Sequence, residues 1–166
     1  MNDNFSNSAY ALYNIGGIDN LTIASSAALK ATVNDTLAYG IRNQDGATIA
    51  SLTNAGSIQA VAANSGAYAI SNYKSLGTPS VIEALTNSGS IVATAGSTAR
   101  AISNRTSLIE SLINTGNISA TVTGSTAVAI SNHEGTIASL NNSSIISASS
   151  LATASGTGNY GDAGGT

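Results

Sequence analysis

Residues 65–72 read SGAYAISN, and close variants of this motif return as STARAISN at 97–104 and as STAVAISN at 125–132. The asparagine that ends the motif recurs along the chain at intervals of 29, 29, 32 and 28 residues. These asparagines are Asn14, Asn43, Asn72, Asn104 and Asn132. A fixed period of about 20 to 50 residues is the signature of a solenoid or of an array of repeats. We therefore expect a stack of similar structural units.

A second motif, I-x-x-L-x-N-x-G-x-I-x-A, lies between the copies of the first. It occupies Ile49–Ala60, Ile82–Ala93 and Ile109–Ala120, and a weaker copy spans Ile137–Ala148. A degenerate copy begins at Ile18 and lacks the asparagine. The asparagines of this motif are Asn54, Asn87, Asn114 and Asn142. Two motifs thus alternate in about five units of roughly 28 residues.

Comparing the copies position by position separates buried from exposed positions. The positions of Ala67, Ala69 and Ile70 keep small or aliphatic residues in the copies, whereas the position of Tyr68 varies. Constant positions two residues apart indicate strands with one buried face. Glycine, serine, threonine and asparagine in mid-unit oppose a helix. The pattern predicts an all-β fold, a three-sided parallel β-helix of about five coils.

The asparagines are expected at the corners of the coils. Asparagine tolerates turn conformations well, and stacked amides form hydrogen-bonded ladders. An unpaired buried amide costs on the order of 1–3 kcal/mol, so each asparagine needs a neighbour in the next coil. We predict one β-helix domain over residues 1–154 and a glycine-rich tail or linker over residues 155–166.

The alternation of A-x-A-I-x-N with I-x-x-L-x-N-x-G-x-I-x-A, over about residues 8–150, resembles repeats of bacterial autotransporter passengers and related large surface adhesins. The resemblance implies a right-handed β-helix, secretion across the outer membrane and display at the cell surface. The family has no single catalytic motif, so no active-site residue is implied. A signal peptide and a membrane barrel are not visible in the chain. We therefore expect an excised piece of a longer protein or a small stacking subunit.

The composition argues against several classes of function. A net charge of −3 with five basic residues is not typical of a protein that binds nucleic acid. No apolar run approaches the ~18 residues of a membrane span, so no membrane insertion is expected from this segment. The acids form no DD or DxD pair, and His133, the single histidine, is expected as an exposed turn residue. We expect no enzyme, no catalytic residue and no cofactor.

One acidic column leaves two interpretations open. Glu83 and Glu110 share a position in successive second motifs, so their carboxylates would lie about 5 Å apart. A Ca²⁺ bridge is one interpretation. Two solvated side chains are the favoured one, and no metal site is predicted.

An outward-facing stripe on the first side of the coil is the candidate binding surface. The stripe is rich in tyrosine and arginine, a combination suited to sugar rings or to the surface of a partner. Its predicted exposed residues are Tyr10, Tyr39, Tyr68, Arg100, Tyr73 and Arg105. The alternative is that tyrosine simply suits a strand surface and packs on the next coil. After Asn72, the insertion YKSLGTPSV is expected to leave the coil as a loop.

Three functions compete at this point. The first is a structural stalk or adhesive segment of a cell-surface or secreted protein, with a host or neighbouring-cell glycan or protein as its partner. The second is an extracellular fibre subunit that associates with itself end to end through open strand edges. The third is ice binding, which is weakened by the lack of a regular Thr-x-Thr array on the third side.

Overall fold

The computed structural model describes residues 8–160, and strands joined by turns make up this part of the chain. Sixteen strands follow one another in that part of the chain. They are β1 (Ala9–Asn14), β2 (Gly17–Ile23), β3 (Ala28–Val33), β4 (Ala38–Gln44), β5 (Thr48–Asn54), β6 (Ser57–Ala62), β7 (Gly66–Tyr73), β8 (Val81–Asn87), β9 (Ser90–Ala95), β10 (Thr98–Arg105), β11 (Leu108–Asn114), β12 (Asn117–Val122), β13 (Thr126–His133), β14 (Thr136–Asn142), β15 (Ile145–Ser149) and β16 (Thr153–Tyr160).

The strands form three parallel sheets, because each strand pairs with the strand three places later. The first sheet has the order β1-β4-β7-β10-β13-β16, the second β14-β11-β8-β5-β2 and the third β15-β12-β9-β6-β3. Ala9 pairs with Ala38, and Ala38 pairs with Ala67, which gives a repeat of 29 residues. The fold is a β-solenoid of about five turns, as the sequence predicted. Within residues 8–160, no helix is long and apolar enough to cross a membrane.

The core is a narrow channel filled by stacked aliphatic side chains. Ile41, Ile70 and Ile102 occupy one column and are fully buried, as are Ile58, Ile91 and Ile118 in another. Each side chain lies on its counterpart in the neighbouring coil, so an isolated coil has nothing against which to bury its inner face. Identical residues recur in these columns for that reason.

The glycine of the second motif is required by backbone stacking. A Cβ atom added to Gly89 would fall on the carbonyl oxygen of Gly56, and one added to Gly116 would fall on that of Gly89. The obstacle is the main chain of the preceding coil, which has no side chain that can turn aside. Glycine therefore recurs at this corner as Gly56, Gly89 and Gly116, whereas the weaker fourth copy has Ser144 there.

The solenoid extends beyond residue 154, where the sequence analysis placed the start of the tail. Strand β16 continues the first sheet, with Ala154 beside Ala127 and Thr157 beside Ile130. Parallel pairing uses backbone groups, so a segment with a weakened side-chain pattern still adds to the sheet. Residues 161–166 of the predicted tail and residues 1–7 of the predicted domain lie outside the described residues.

The insertion after Asn72 leaves the coil as a loop over residues 74–80. Asp45 in the preceding turn fastens this loop, since its Oδ1 accepts the backbone N–H groups of Ser75 and Leu76 at 2.6 and 2.9 Å. Slight desolvation raises the pKa of the Asp45 carboxyl, but hydrogen bonds from Gln44, Leu76 and Ser75 outweigh it. The net effect is a pKa below its usual value.

Candidate functional site

The inner corner of the first sheet carries the first asparagine ladder. The side-chain Nδ2 of each asparagine donates to Oδ1 of the next, at 2.8, 2.9, 2.8 and 2.8 Å from Asn14 to Asn132. The same amide also donates to turn carbonyls of its own and of the following coil. For Asn104 these are the oxygens of Ser107 at 2.9 Å and Thr136 at 3.0 Å. The ladder predicted from sequence is confirmed, and each step joins the turns of two successive coils.

The second ladder joins Asn54, Asn87, Asn114 and Asn142, with each Nδ2–Oδ1 distance at 2.7 Å. The first amide of this ladder lacks one hydrogen bond, because Oδ1 of Asn54 is buried without a hydrogen-bond partner. The residue beside it in the preceding coil is Ile23, which has no donor. By contrast, Oδ1 of Asn14 accepts the N–H of Gly16 at 3.1 Å.

Four residues of the predicted stripe form one column on the outer face of the first sheet. Tyr10, Tyr39, Tyr68 and Arg100 are successive register partners. The rings of Tyr10 and Tyr39 stack at 5.1 Å with 9° between their planes, and those of Tyr39 and Tyr68 at 5.2 Å with 14°. The guanidinium of Arg100 covers the next face, 5.7 Å from the centroid of Tyr68.

One member of the stripe is buried, and Tyr68, Tyr73 and Arg100 are half-buried. Tyr39 is only 5% exposed, whereas Tyr10 is 38% exposed. The ring of Tyr39 is enclosed by Tyr10, Tyr68 and the guanidinium of Arg42, which lies 4.6 Å from its centroid. This burial raises the pKa of the Tyr39 phenol to about 12. The prediction of Tyr39 as an exposed binding residue is therefore corrected to a packed residue beneath the surface.

A second outer column runs through Tyr73, Arg105 and His133. Arg42 and Arg105 lie over the ring of Tyr73, at 4.9 and 5.5 Å from its centroid. The faces of the stacked tyrosines are thus largely occupied by neighbouring rings and guanidinium groups. A sugar ring lying flat on these faces, as the sequence analysis envisaged, would have to displace them.

A groove of about 610 Å³ lies between the two columns on the first sheet. All six stripe residues were predicted from sequence as part of a binding surface; five of them line this groove, and Tyr10 does not. The lining comprises Leu37, Tyr39, Arg42, Tyr68, Ser71, Tyr73, Arg100, Ser103, Arg105, Thr126, Ser131 and His133.

The serines of the groove were not among the binding residues predicted from sequence. Ser71, Ser103 and Ser131 are register partners in β7, β10 and β13 and lie between the two outer columns along each strand. Ser71 and Ser131 are only 5% and 3% exposed, so they form the bottom of the groove. The recurrence of serine directly before the asparagine, in the I-S-N ending of all three copies, was the available signal.

The groove concentrates positive charge on an acidic chain. Three of the five basic residues line it, and none of its lining residues is acidic. Among residues 8–160, the one salt-bridge contact joins Nδ1 of His133 to Oε2 of Glu134 at 3.9 Å. The arginines therefore contact aromatic rings and hydroxyl or amide oxygens rather than carboxylates.

The remaining candidates lie outside this arrangement or at its edge. Glu83 and Glu110 are exposed on the second sheet. Within residues 8–160, no group of three or more His, Asp or Glu side chains is placed to hold a metal ion. The side chain of His133 is 44% exposed, and it closes one end of the groove.

No protein-family profile, curated protein sequence or solved structure matches this chain.

Proposed function

We propose that the chain is a non-enzymatic structural and adhesive segment of a bacterial cell-surface or secreted protein. The solenoid is the rigid stalk, and the groove of the first sheet is its binding surface. The observation that carries the proposal is the contrast between the two faces of that sheet. In β7, β10 and β13 the inner face repeats the same residues, whereas the outer face gathers different aromatic, basic and hydroxyl side chains around one groove.

The chemistry of the groove supports binding rather than cleavage. Hydrolysis of a glycosidic bond commonly uses a pair of carboxyl groups, one to protonate the leaving oxygen and one as base or nucleophile. The lining residues of the groove include no carboxylate. Its arginines and hydroxyls are donors that hold a ligand without supplying that pair.

Adhesion of coated beads to cells tests this proposal. Beads carrying the purified chain are counted on bacterial and animal cell layers under flow, beside beads carrying the Arg100→Gln/Arg105→Gln variant. We expect the wild-type beads to be retained and the variant beads to be washed away. Equal retention of both bead types, or no retention above that of uncoated beads, would contradict an adhesive groove.

A fibre subunit is the second candidate, and exposed aliphatic side chains near one end of the solenoid favour it. Leu140, Ile145 and Leu151 are 43%, 60% and 88% exposed. A second copy stacked on this end would cover them and continue the parallel sheets. Filaments seen by electron microscopy at micromolar concentration would support this function, and a monodisperse monomer at that concentration would exclude it.

A further inference from the structure

We propose that the groove binds an acidic oligosaccharide. Arg100 and Arg105 hold its carboxylate or sulfate groups, and the serine hydroxyls at the bottom of the groove bind its ring hydroxyls. This inference rests on the adhesive role proposed above and names the chemical class of the ligand.

The arginines of the groove have unused hydrogen-bond donors. A guanidinium carries five N–H donors. Arg100 donates once, through Nη1 to the phenol oxygen of Tyr68 at 3.2 Å. The guanidinium of Arg105 donates no hydrogen bond to any residue among 8–160, and it lies 5.5 Å from the centroid of Tyr73. Arginine recognises carboxylate and sulfate-like groups through two parallel hydrogen bonds. These two side chains thus present open, oriented anion-binding donors.

The position of the two arginines fixes where an anionic group would lie. Both are in β10, at either side of Ser103 along the strand, and both line the same groove. The third arginine is already engaged: Nε of Arg42 donates to Oε1 of Gln44, and its guanidinium lies between the rings of Tyr39 and Tyr73. The anion site is therefore centred on the coil that contains β10.

Hydroxyl groups repeat along the groove at the spacing of the coils. Ser71, Ser103 and Ser131 present one hydroxyl from each of three successive strands. None of the three Oγ atoms is hydrogen-bonded to another described residue, so each is available as donor and acceptor. Successive strands of a sheet lie about 4.8 Å apart. A ligand that repeats its own hydroxyl groups along a chain matches this row better than a single small anion does.

The same features disfavour an acidic peptide and a single-stranded nucleic acid. A peptide that adds to a sheet needs an open strand edge, but β10 is paired on both sides, with β7 and β13. Nucleic-acid bases stack on free aromatic faces. The faces of Tyr68 and Tyr73 are covered by neighbouring rings or arginines. A hydroxyl-rich acidic chain needs neither an edge nor a free ring face.

Calorimetric titration of the whole chain tests the proposal with four probes of matched length. These are a hexamer of galacturonate, a heparin-derived hexasaccharide, a neutral hexamer of glucose and a hexamer of glutamate. We expect binding of at least one acidic sugar, weakened by added salt, and at least about tenfold weaker binding of the neutral sugar. The two acidic sugars distinguish a carboxylate from a sulfate ligand.

Variants then locate the binding in the groove. Arg100→Gln/Arg105→Gln should weaken binding of the acidic sugar at least about tenfold, because hydrogen bonds to charged groups are the strong ones. Lys30→Gln, which removes a positive charge from the exposed face of β3, is the matched control and should leave binding unchanged. Ser103→Ala should weaken the acidic sugars more than it weakens the glutamate hexamer. Thermal unfolding verifies that each variant is folded.

Several results would overturn the assignment. These are equal binding of the neutral sugar, tighter binding of the glutamate hexamer, no binding of either acidic sugar, or equal losses in the Lys30→Gln and double-arginine variants. If beads adhere to cells through the arginines while both acidic sugars fail to bind, the adhesive role stands and only the ligand class is wrong. If the sugars bind but the beads do not adhere, the groove is correctly assigned and the adhesive role is wrong.

Discussion

The inner and outer faces of the first sheet are made by different residues of the same strands, and their side chains vary in opposite ways from coil to coil. On the inner face, Asn72 is bonded to an identical residue in each neighbouring coil. On the outer face, Tyr68 lies between a tyrosine and an arginine. Inside the solenoid, stacking favours identical residues in successive coils, because each side chain packs on or hydrogen-bonds to its own copy. On the outer face, side chains contact solvent and need no identical partner, so the residues of a binding surface can differ from coil to coil.

The largest loss of stability is expected where a substitution interrupts backbone stacking between coils. Gly89→Ala places a Cβ atom against the main chain of Gly56 and Ala55. Overpacking against atoms that cannot rotate away should cost about 3 kcal/mol, the upper part of the usual range, or about 6–12 °C in the unfolding midpoint. Gly17→Ala is the control, since nothing lies within 4 Å of its added Cβ. Equal midpoints for the two variants would refute backbone stacking as the reason for glycine.

The unpaired end of the second ladder tests whether a matching amide in the next coil stabilises the inner face. Ile23→Asn removes a buried aliphatic side chain but supplies the donor that Oδ1 of Asn54 lacks. Ile49→Asn makes the same exchange in a column with no amide to meet. Because an unsatisfied buried group costs about 1–3 kcal/mol, Ile23→Asn should be less destabilising than Ile49→Asn by about 2 kcal/mol. Denaturant unfolding of both variants measures this difference, and the reverse order would contradict it.

The buried tyrosine of the outer face predicts a loss of stability at alkaline pH. Burial raises the pKa of Tyr39 from 10.0 to about 12, so the folded state favours the neutral phenol. Its contribution to stability is complete below pH 10 and is lost as the pH rises through about 12. The alkaline decline in the unfolding midpoint should therefore be smaller in Tyr39→Phe. Identical alkaline declines in the two proteins would show that Tyr39 is not buried.

The smallest effect is expected at the loop over residues 74–80. The lowered pKa of Asp45 means that its carboxylate favours the folded state at neutral pH. This stabilisation is present above its unperturbed pKa of 3.8 and is lost as the pH falls through the lower value of the folded state. Asp45→Asn should speed amide exchange at Ser75 and Leu76 without changing the global unfolding midpoint. Unchanged exchange at both amides would show that Asp45 does not fasten the loop.

The sequence predicted the inner face well because its columns must repeat. The sheet count, the two ladders and the loop after Asn72 all follow from comparing copies, since identity between coils is the direct consequence of stacking. Glycine also repeats at positions 89 and 116, but its cause, the close main chain of the preceding coil, is visible only in the structure.

The outer face was harder to predict, because the burial of an outward side chain depends on which side chains surround it and not on the repeat of the sequence. Tyr39 occupies an outward position, yet the two tyrosines beside it and Arg42 bury it. The comparison of copies did place the consecutive residues Ala69 and Ile70 inside, and both are fully buried, but it did not show how deeply the outward Ser71 lies. The depth of the groove and the role of its serines depend on such local packing, which the spacing of residues does not record.

The comparison between the faces is tested most directly at two adjacent residues of β7. Asn72→Ala removes the amide that bonds Asn43, Asn104 and the carbonyls of Ser80 and Leu108. Ser71→Ala, its neighbour on the outer face, removes a hydroxyl that makes no hydrogen bond with a described residue. Thermal unfolding should give a midpoint at least about 5 °C lower for Asn72→Ala, given about 2–3 kcal/mol for the groups left unpaired, and a nearly unchanged midpoint for Ser71→Ala. Equal midpoints for the two variants would remove the asparagine ladder from the account of how this solenoid is held together.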